Sequence, residues 1–236
     1  MIVTRYDLGA RVAEGRRVLE VACGAGQGLG YMAERARWTV GGDYHEGLLG
    51  LARRHYGARV PLVRLDAQRL PFTSSTFDVI VLHEAIYYLE LVDAFVSESR
   101  RVLREDGALV VSTVNREWPD FNPSPESHRY LNTRELRALL ETRFRRVSVY
   151  GAFPIHSSAG RPSMVSLLKR LAVRLGLIPK TMKGKRWLKR LFYGSLVEVP
   201  AEITDDLAPR APGVRLEPDR AHPGFKLLLA VASNVE

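Results

Sequence analysis

The chain has 236 residues, of which 46% are hydrophobic and 26% are charged, and its formal net charge is +9. This length suits one α/β domain with an elaboration, and no apolar run of about 18 residues predicts a transmembrane helix. The N-terminal sequence lacks the apolar stretch of a signal peptide. A single cysteine, Cys23, excludes an internal disulfide and fits a reducing compartment. We therefore expect a cytoplasmic protein.

Apolar runs and helical periodicity alternate along the chain. Strands are predicted near 17–22, 38–42, 60–65, 77–82, 107–114, 146–152 and 225–232. Helices are predicted near 27–36, 46–55, 91–104 and 133–142. The alternation predicts an α/β fold of the Rossmann-like, doubly wound kind, with a mostly parallel seven-stranded sheet and helices on both faces.

The first predicted strand carries Glu20 and runs into a glycine-rich turn at 24–28. Glycines let the backbone pass close to a ligand, and a strand–turn–helix unit places that ligand at the carboxyl end of the strand. The spacing departs from the dinucleotide pattern G-x-G-x-x-G, because neither Gly24 nor Gly26 begins a pattern that ends on glycine. NAD is therefore disfavoured.

An acid inside the strand ahead of G-x-G resembles motif I of the class I S-adenosylmethionine (SAM)-dependent methyltransferases. The resemblance extends over 15–115 and is closest to the type-11, quinone-methyltransferase-like branch, on the stretches 70–72, 77–82 and 101–110. Ala22 departs from the motif, which usually has its first glycine there. The resemblance implies SAM as the cofactor and a last strand that is antiparallel and inserts between strands five and six.

The same resemblance assigns the cofactor contacts. Asp43, which ends the second predicted strand, would bond both ribose hydroxyls, and Asp66 with Ala67 would bind the adenine. The expected cofactor-binding residues are Glu20, Ala22, Gly24, Gly26, Asp43, Tyr44, Asp66, Ala67 and His83.

Strand four ends at His83 and Glu84, where the family faces the methionine part of its cofactor and the acceptor. His83 titrates near neutrality and is the first candidate for a general base, but a histidine that only bonds the cofactor or backbone fits equally well. Glu84 is the second catalytic candidate, which would orient His83 or bond the cofactor. The expected substrate-binding residues are Tyr87, Tyr88, Asn115, Arg116, His128 and Tyr130. His and acidic residues do not cluster at metal-ligand spacing, so no metal is predicted.

Strands six and seven are separated by about 70 residues, where the family has a short turn. We expect 153–224 to be a basic helical lid, and 1–152 with 225–236 to be the SAM-binding core. Residues 142–197 contain 13 Lys or Arg and no Asp or Glu. Two amphipathic helices, 164–175 and 185–193, would present this charge to solvent, to an anionic substrate, or to an anionic membrane surface through 163–193.

These patterns predict a SAM-dependent methyltransferase. O-methylation of a small or lipid-linked, anionic acceptor, such as a saccharide, a quinone-like compound or a secondary metabolite, is the leading hypothesis. An RNA methyltransferase that uses the basic insert is an alternative, weakened because few exposed aromatic residues are available for base stacking. A non-catalytic SAM-binding regulatory module is the other alternative.

Overall fold

A computed structural model of the chain describes residues 1–155 and 200–234. Its strands are β1 (Arg17–Val21), β2 (Trp38–Asp43), β3 (Leu62–Arg64), β4 (Phe77–His83), β5 (Leu103–Val114), β6 (Arg146–Pro154), β7 (Val214–Arg215) and β8 (Phe225–Ser233). Its helices are α1 (Ile2–Ala13), α2 (Leu29–Ala33), α3 (Glu46–Tyr56), α4 (Val92–Val102) and α5 (Thr133–Glu141), with a 3₁₀ turn at Ile86–Tyr88.

The strands form one mixed sheet in the order β3-β2-β1-β4-β5-β8-β6-β7. β1 to β5 are parallel to one another, and β8 lies antiparallel between β5 and β6. The predicted Rossmann-like architecture and the place of the antiparallel last strand are confirmed. The predicted strand number is corrected from seven to eight, because the two-residue β7 pairs with Tyr150 and Gly151 at the edge of β6.

Two element boundaries also differ from the predicted ones. α2 is limited to five residues, and β5 begins at Leu103 because that residue pairs with Phe77 before the ladder shifts register. β6 extends through Pro154, and β7 lies within the predicted insert 153–224, whose boundaries stay a prediction. The predicted helices 164–175 and 185–193 lie outside the described residues. Within the described ranges, no helix is long and apolar enough to cross a membrane.

Helix α1 covers one face of the sheet, and its buried residues recur at helical spacing: Val3, Tyr6, Ala10 and Ala13. Tyr6, Ala10 and Ala13 pack with Val18 of β1 and with residues of β4 in one apolar cluster. Because side chains alternate along a strand, Leu19 and Val21 of β1 belong to the larger cluster on the opposite face. Glu20 therefore points toward α1.

Candidate functional site

The glycine-rich turn follows β1 at the carboxyl edge of the sheet. Three residues between the end of β1 and the start of α2 have a positive φ: Ala22 at 58°, Gly24 at 59° and Gly26 at 84°. A Cβ placed on Gly24 would meet no atom within 4 Å, so the backbone of the turn is open on that side to a ligand. Tyr56 of α3 fixes the turn, since its hydroxyl donates to the Gly26 carbonyl at 2.6 Å.

Asp43, at the end of β2, is buried and contacts the turn. Its Oδ2 accepts a hydrogen bond from the N–H of Gly24 at 2.7 Å, and its Oδ1 accepts one from the N–H of His45 at 2.8 Å. An ionised carboxylate offers about four acceptor positions. Two of them are used here, so the carboxylate retains capacity for hydroxyl donors.

The other residues expected at the adenine side lie near the ends of β2 and β3. Tyr44 is 69% exposed, and the Arg64 guanidinium lies 5.7 Å from its ring centroid. Asp66 is exposed and accepts from the N–H of Gln68 at 2.8 Å, while Ala67 is buried. A polar acceptor and an aromatic ring thus follow the ends of β3 and β2.

Glu20 is buried under α1. Tyr6 donates a hydrogen bond to Oε1 of Glu20 at 2.5 Å, and a Cβ on Gly28 would lie only 1.8 Å from the Tyr6 ring. Burial raises the pKa of Glu20 to about 8, and the bond from Tyr6 opposes the shift. Helix α1 is therefore fitted to both Glu20 and the turn, and glycine at 28 is required for that contact.

His83 ends β4 on the same face of the sheet as Glu20. Its Nδ1 is 2.9 Å from the Ser112 hydroxyl, and its ring meets the ring of Tyr6 edge-on at 4.6 Å. Its Nε2 has no partner and points toward α1, 3.4 Å from where a Cβ on Gly9 would lie. Burial lowers the pKa of His83 to about 3, so the imidazole is neutral at physiological pH.

Glu84 follows β4 with a φ of 54°, a left-handed conformation that costs about 1–3 kcal/mol in a residue other than glycine. Its Oε2 is 3.8 Å from the Arg5 guanidinium, and burial raises the pKa of Glu84 while Arg5 and Lys226 oppose the shift. Backbone strain of this kind often marks a functional position.

Besides His83 Nε2, three buried polar atoms around the ends of β1 and β4 lack a hydrogen-bond partner: Arg5 Nε, Glu20 Oε2 and Glu84 Oε1. Each such atom costs about 1–3 kcal/mol when left unsatisfied. A ligand with both cationic and anionic groups would satisfy donor and acceptors alike. The amino acid part of SAM is such a group, and the open backbone at Gly24 leaves space beside it, so the residues present fit this cofactor.

An aromatic cluster follows β4, within the predicted acceptor site. Tyr87 is buried and stacks on Tyr130, with ring centroids 4.4 Å apart and an angle of 22° between the rings. Tyr88 is 46% exposed and meets Tyr87 edge-on at 4.6 Å. Phe121 closes the cluster against Tyr130 at 4.7 Å. The structure thus brings three predicted substrate-binding tyrosines together.

The other three predicted substrate-binding residues are held in different ways. Asn115 is fully buried, and its amide donates to the carbonyls of His222 and Phe225. Arg116 pairs with Glu135 at 3.1 Å. The side chain of His128 is exposed. Asn115 therefore fastens the end of β5 to the turn before β8, and its part in substrate binding stays a prediction.

The segment 202–210 lies against the helices that follow the glycine turn. Ile203 is buried, and its N–H donates to the carbonyl of Gln27 at 2.8 Å. Glu202 forms an ion pair with Arg59 and contacts the position where a Cβ on Gly30 would lie. These contacts fix the segment beside the turn.

Sequence reasoning did not identify Arg5 and Tyr6 as site residues. No helix was predicted over the residues of α1, Ile2–Ala13, so its contacts with β1 and β4 were not expected. The contacts of Glu202 join residues more than 140 positions apart, and no local sequence signal carries them. Among residues 1–155 and 200–234, no group of three or more His, Cys, Asp or Glu side chains could hold a metal ion.

The chain is similar to known methyltransferases over its N-terminal part. Residues 19–111 match the model of a methyltransferase domain. A probable S-adenosylmethionine-dependent methyltransferase of Mycolicibacterium smegmatis is 38% identical over 143 residues, covering 58% of this chain and 54% of the relative. A fatty-acid O-methyltransferase of the same organism is 40% identical over 97 residues, covering 40% of this chain and 35% of the relative. The matched region thus spans about half of the first relative's length.

The fold is similar to that of a solved methyltransferase structure. A SAM-dependent methyltransferase from Thermotoga maritima superposes with a TM-score of 0.63 at 15% identity, covering 99% of this chain and 88% of that one.

Proposed function

We propose that this chain, which carries a class I SAM-dependent methyltransferase domain, methylates an oxygen atom of a small or lipid-linked, anionic acceptor. The observation that carries the proposal is the open glycine turn beside three unsatisfied buried polar atoms, inside a domain of this family. The fatty-acid O-methyltransferase among its relatives supports an oxygen acceptor on a lipid-like molecule. Saccharides, quinone-like compounds and secondary metabolites remain in the same acceptor class.

The cofactor would be held along the carboxyl edge of β1, β2 and β4. Asp43 has acceptor positions left for the ribose hydroxyls, and Asp66 and Tyr44 lie on the adenine side. The backbone at Gly24 would lie against the cofactor without a Cβ between them. Arg5 would pair with the carboxylate of its amino acid part, and the unpartnered oxygen of Glu20 with its ammonium group.

When bound, SAM supplies a methyl group on a positively charged sulfur, which makes that carbon open to attack by an acceptor oxygen. The protein has to align the acceptor and exclude water. The stacked Tyr87 and Tyr130 form a rigid apolar wall for this purpose, and the exposed Tyr88 extends it toward solvent. A hydroxyl acceptor also needs a group that takes its proton.

Of the two candidates for that role, Glu84 has the more suitable environment. Its carboxylate has an unpartnered oxygen and its pKa is raised by burial, which brings a carboxyl closer to the operating pH of a general base. Burial brings the pKa of His83 to about 3, and its free nitrogen faces α1. We assign His83 a structural role that differs from both predicted ones, in which a neutral imidazole bonds the Ser112 hydroxyl and orients the end of β4.

The proposal is tested by incubating the protein with SAM and a panel of fatty-acid, hydroquinone and saccharide acceptors and measuring the S-adenosylhomocysteine (SAH) that forms. With the acceptor that the protein methylates, Glu84→Gln should lower turnover by about 10²–10⁴-fold, and His83→Asn by less than tenfold. Glu90→Gln, on an exposed neighbouring turn, is the matched control and should keep wild-type turnover. SAH binding without turnover on any acceptor would instead support the non-catalytic module.

A further inference from the structure

A cavity of about 350 Å³ lies at the edge of the sheet opposite the glycine turn. Arg17 begins β1, Trp38 begins β2, and Asp78 is the second residue of β4. Parallel strands start at the same edge, and the five residues of β1 place the glycine turn about 15 Å away. The lining is completed by Gly15, Arg37 and Arg104. The cavity is therefore separate from the candidate cofactor site.

The lining has an excess of positive charge, with three guanidinium groups and one carboxylate. Asp78 is already engaged, because its Oδ2 accepts from the backbone N–H of Arg17 at 2.8 Å and its Oδ1 lies 3.4 Å from the Arg104 guanidinium. Arg17 Nη2 is buried without a hydrogen-bond partner. Glu105 and Asp106 follow Arg104 in the chain but do not line the cavity. The Arg17 Nε also lies 3.7 Å from Asp78 Oδ2, so one carboxylate is shared by Arg17 and Arg104. The remaining excess of positive charge favours an anionic ligand.

Trp38 gives the cavity an aromatic wall. Its ring lies nearly parallel to Phe77, with centroids 6.1 Å apart and an angle of 7° between the rings. The side chain nevertheless remains 43% exposed and lines the cavity, so part of its ring surface is open to a ligand. A large aromatic ring that is partly packed and partly open is suited to stacking against a planar ligand.

We infer that this cavity binds a planar aromatic group that carries a phosphate or a carboxylate. The aromatic group stacks on the open part of the Trp38 ring, and the anion is bound by Arg17, Arg37 and Arg104. The volume falls within the range of small-molecule sites. The site does not depend on the methyl-transfer reaction, because it uses the opposite edge of the sheet.

Calorimetric titration of phenyl phosphate into the full chain tests this inference, with saturating SAH present to fill the cofactor site. Benzoate, the carboxylate form of the proposed ligand, is titrated in parallel. The two controls are inorganic phosphate, which lacks the aromatic group, and phenol, which lacks the anion. Phenyl phosphate should bind at least tenfold more tightly than either of these two, and its affinity should fall as salt is raised. Comparable affinities for phenyl phosphate and inorganic phosphate would overturn the aromatic part of the inference.

Variants locate the binding. Trp38→Leu should weaken the affinity for phenyl phosphate at least tenfold, and Arg37→Gln and Arg104→Gln at least threefold each. Arg53→Gln, an arginine on α3 that does not line the cavity, is the control and should leave it unchanged. If Trp38→Leu does not fold, the two arginine variants decide the question. Wild-type affinity in all folded cavity variants would overturn the inference.

Discussion

Replacing Tyr6 by phenylalanine removes the hydroxyl that α1 offers to Glu20. Its bond to the buried carboxylate is 2.5 Å long, and the other oxygen of Glu20 has no partner. The variant would therefore leave an ionised Glu20 with neither oxygen satisfied. A hydrogen bond to a charged group contributes about 1.5–3 kcal/mol, and one between neutral groups about 0.5–1.5 kcal/mol.

The size of the effect depends on pH because burial raises the pKa of Glu20 to about 8. Between the unfolded pKa near 4.5 and the folded value near 8, the folded protein holds a proton that the unfolded chain has lost. The contribution of Glu20 to stability therefore falls as pH rises through this window. Above it the carboxylate is ionised and depends on Tyr6, so the loss caused by Tyr6→Phe grows with pH.

Urea denaturation at pH 6.5 and pH 9 measures this difference. Tyr6→Phe should lower the free energy of unfolding by about 1 kcal/mol at the lower pH and by about 2–3 kcal/mol at the higher pH. Tyr44→Phe removes a hydroxyl from a side chain that is 69% exposed and should cost less than about 0.5 kcal/mol at both. An equal loss for Tyr6→Phe at the two pH values would refute the reasoning.

Two further variants test local features. Ala22→Gly should raise the free energy of unfolding by about 0.5–1 kcal/mol, because an alanine at positive φ costs about 1–2 kcal/mol and the extra chain entropy of glycine offsets part of the gain. The melting temperature should therefore rise by about 1–4 °C. An unchanged or lower melting temperature would count against backbone strain at Ala22. Burial lowers the pKa of His83 to about 3, so below pH 6.5 the unfolded chain takes up a proton that the folded protein refuses. The melting temperature of the wild type should therefore fall more steeply from pH 7 to pH 4.5 than that of His83→Asn, and parallel curves would contradict the burial of a neutral imidazole.

The parts of the fold that follow from local pattern were predictable from the sequence. The apolar runs of β1, β2 and β4 and the acids at or beside their ends identified the sheet and its carboxyl edge. The glycines at 24 and 26 identified the turn: both have a positive φ, and a Cβ on Gly26 would lie only 2.8 Å from the Tyr56 ring. β7 was not predictable, since a two-residue strand has no periodicity of its own.

The burial and pKa of the predicted acids and bases could not be predicted from the sequence. Sequence placed His83 and Glu84 at the end of a strand but could not show that α1 would cover the imidazole and leave the carboxyl oxygen unpartnered. Burial decides their pKa values, and burial here comes from a helix more than 70 residues away in the chain. Long-range packing, and not the local motif, therefore sets the chemistry at this edge.

Direct titration with SAH tests whether the glycine turn and Asp43 form a SAM site. We predict one SAH bound per chain with a micromolar dissociation constant and no binding of NAD at about 100-fold higher concentration. Asp43→Asn should weaken SAH at least tenfold, because the amide replaces an acceptor oxygen with a donor, at a cost of about 1.5–3 kcal/mol. Absence of SAH binding, NAD binding of equal strength, or wild-type affinity in Asp43→Asn would contradict the account.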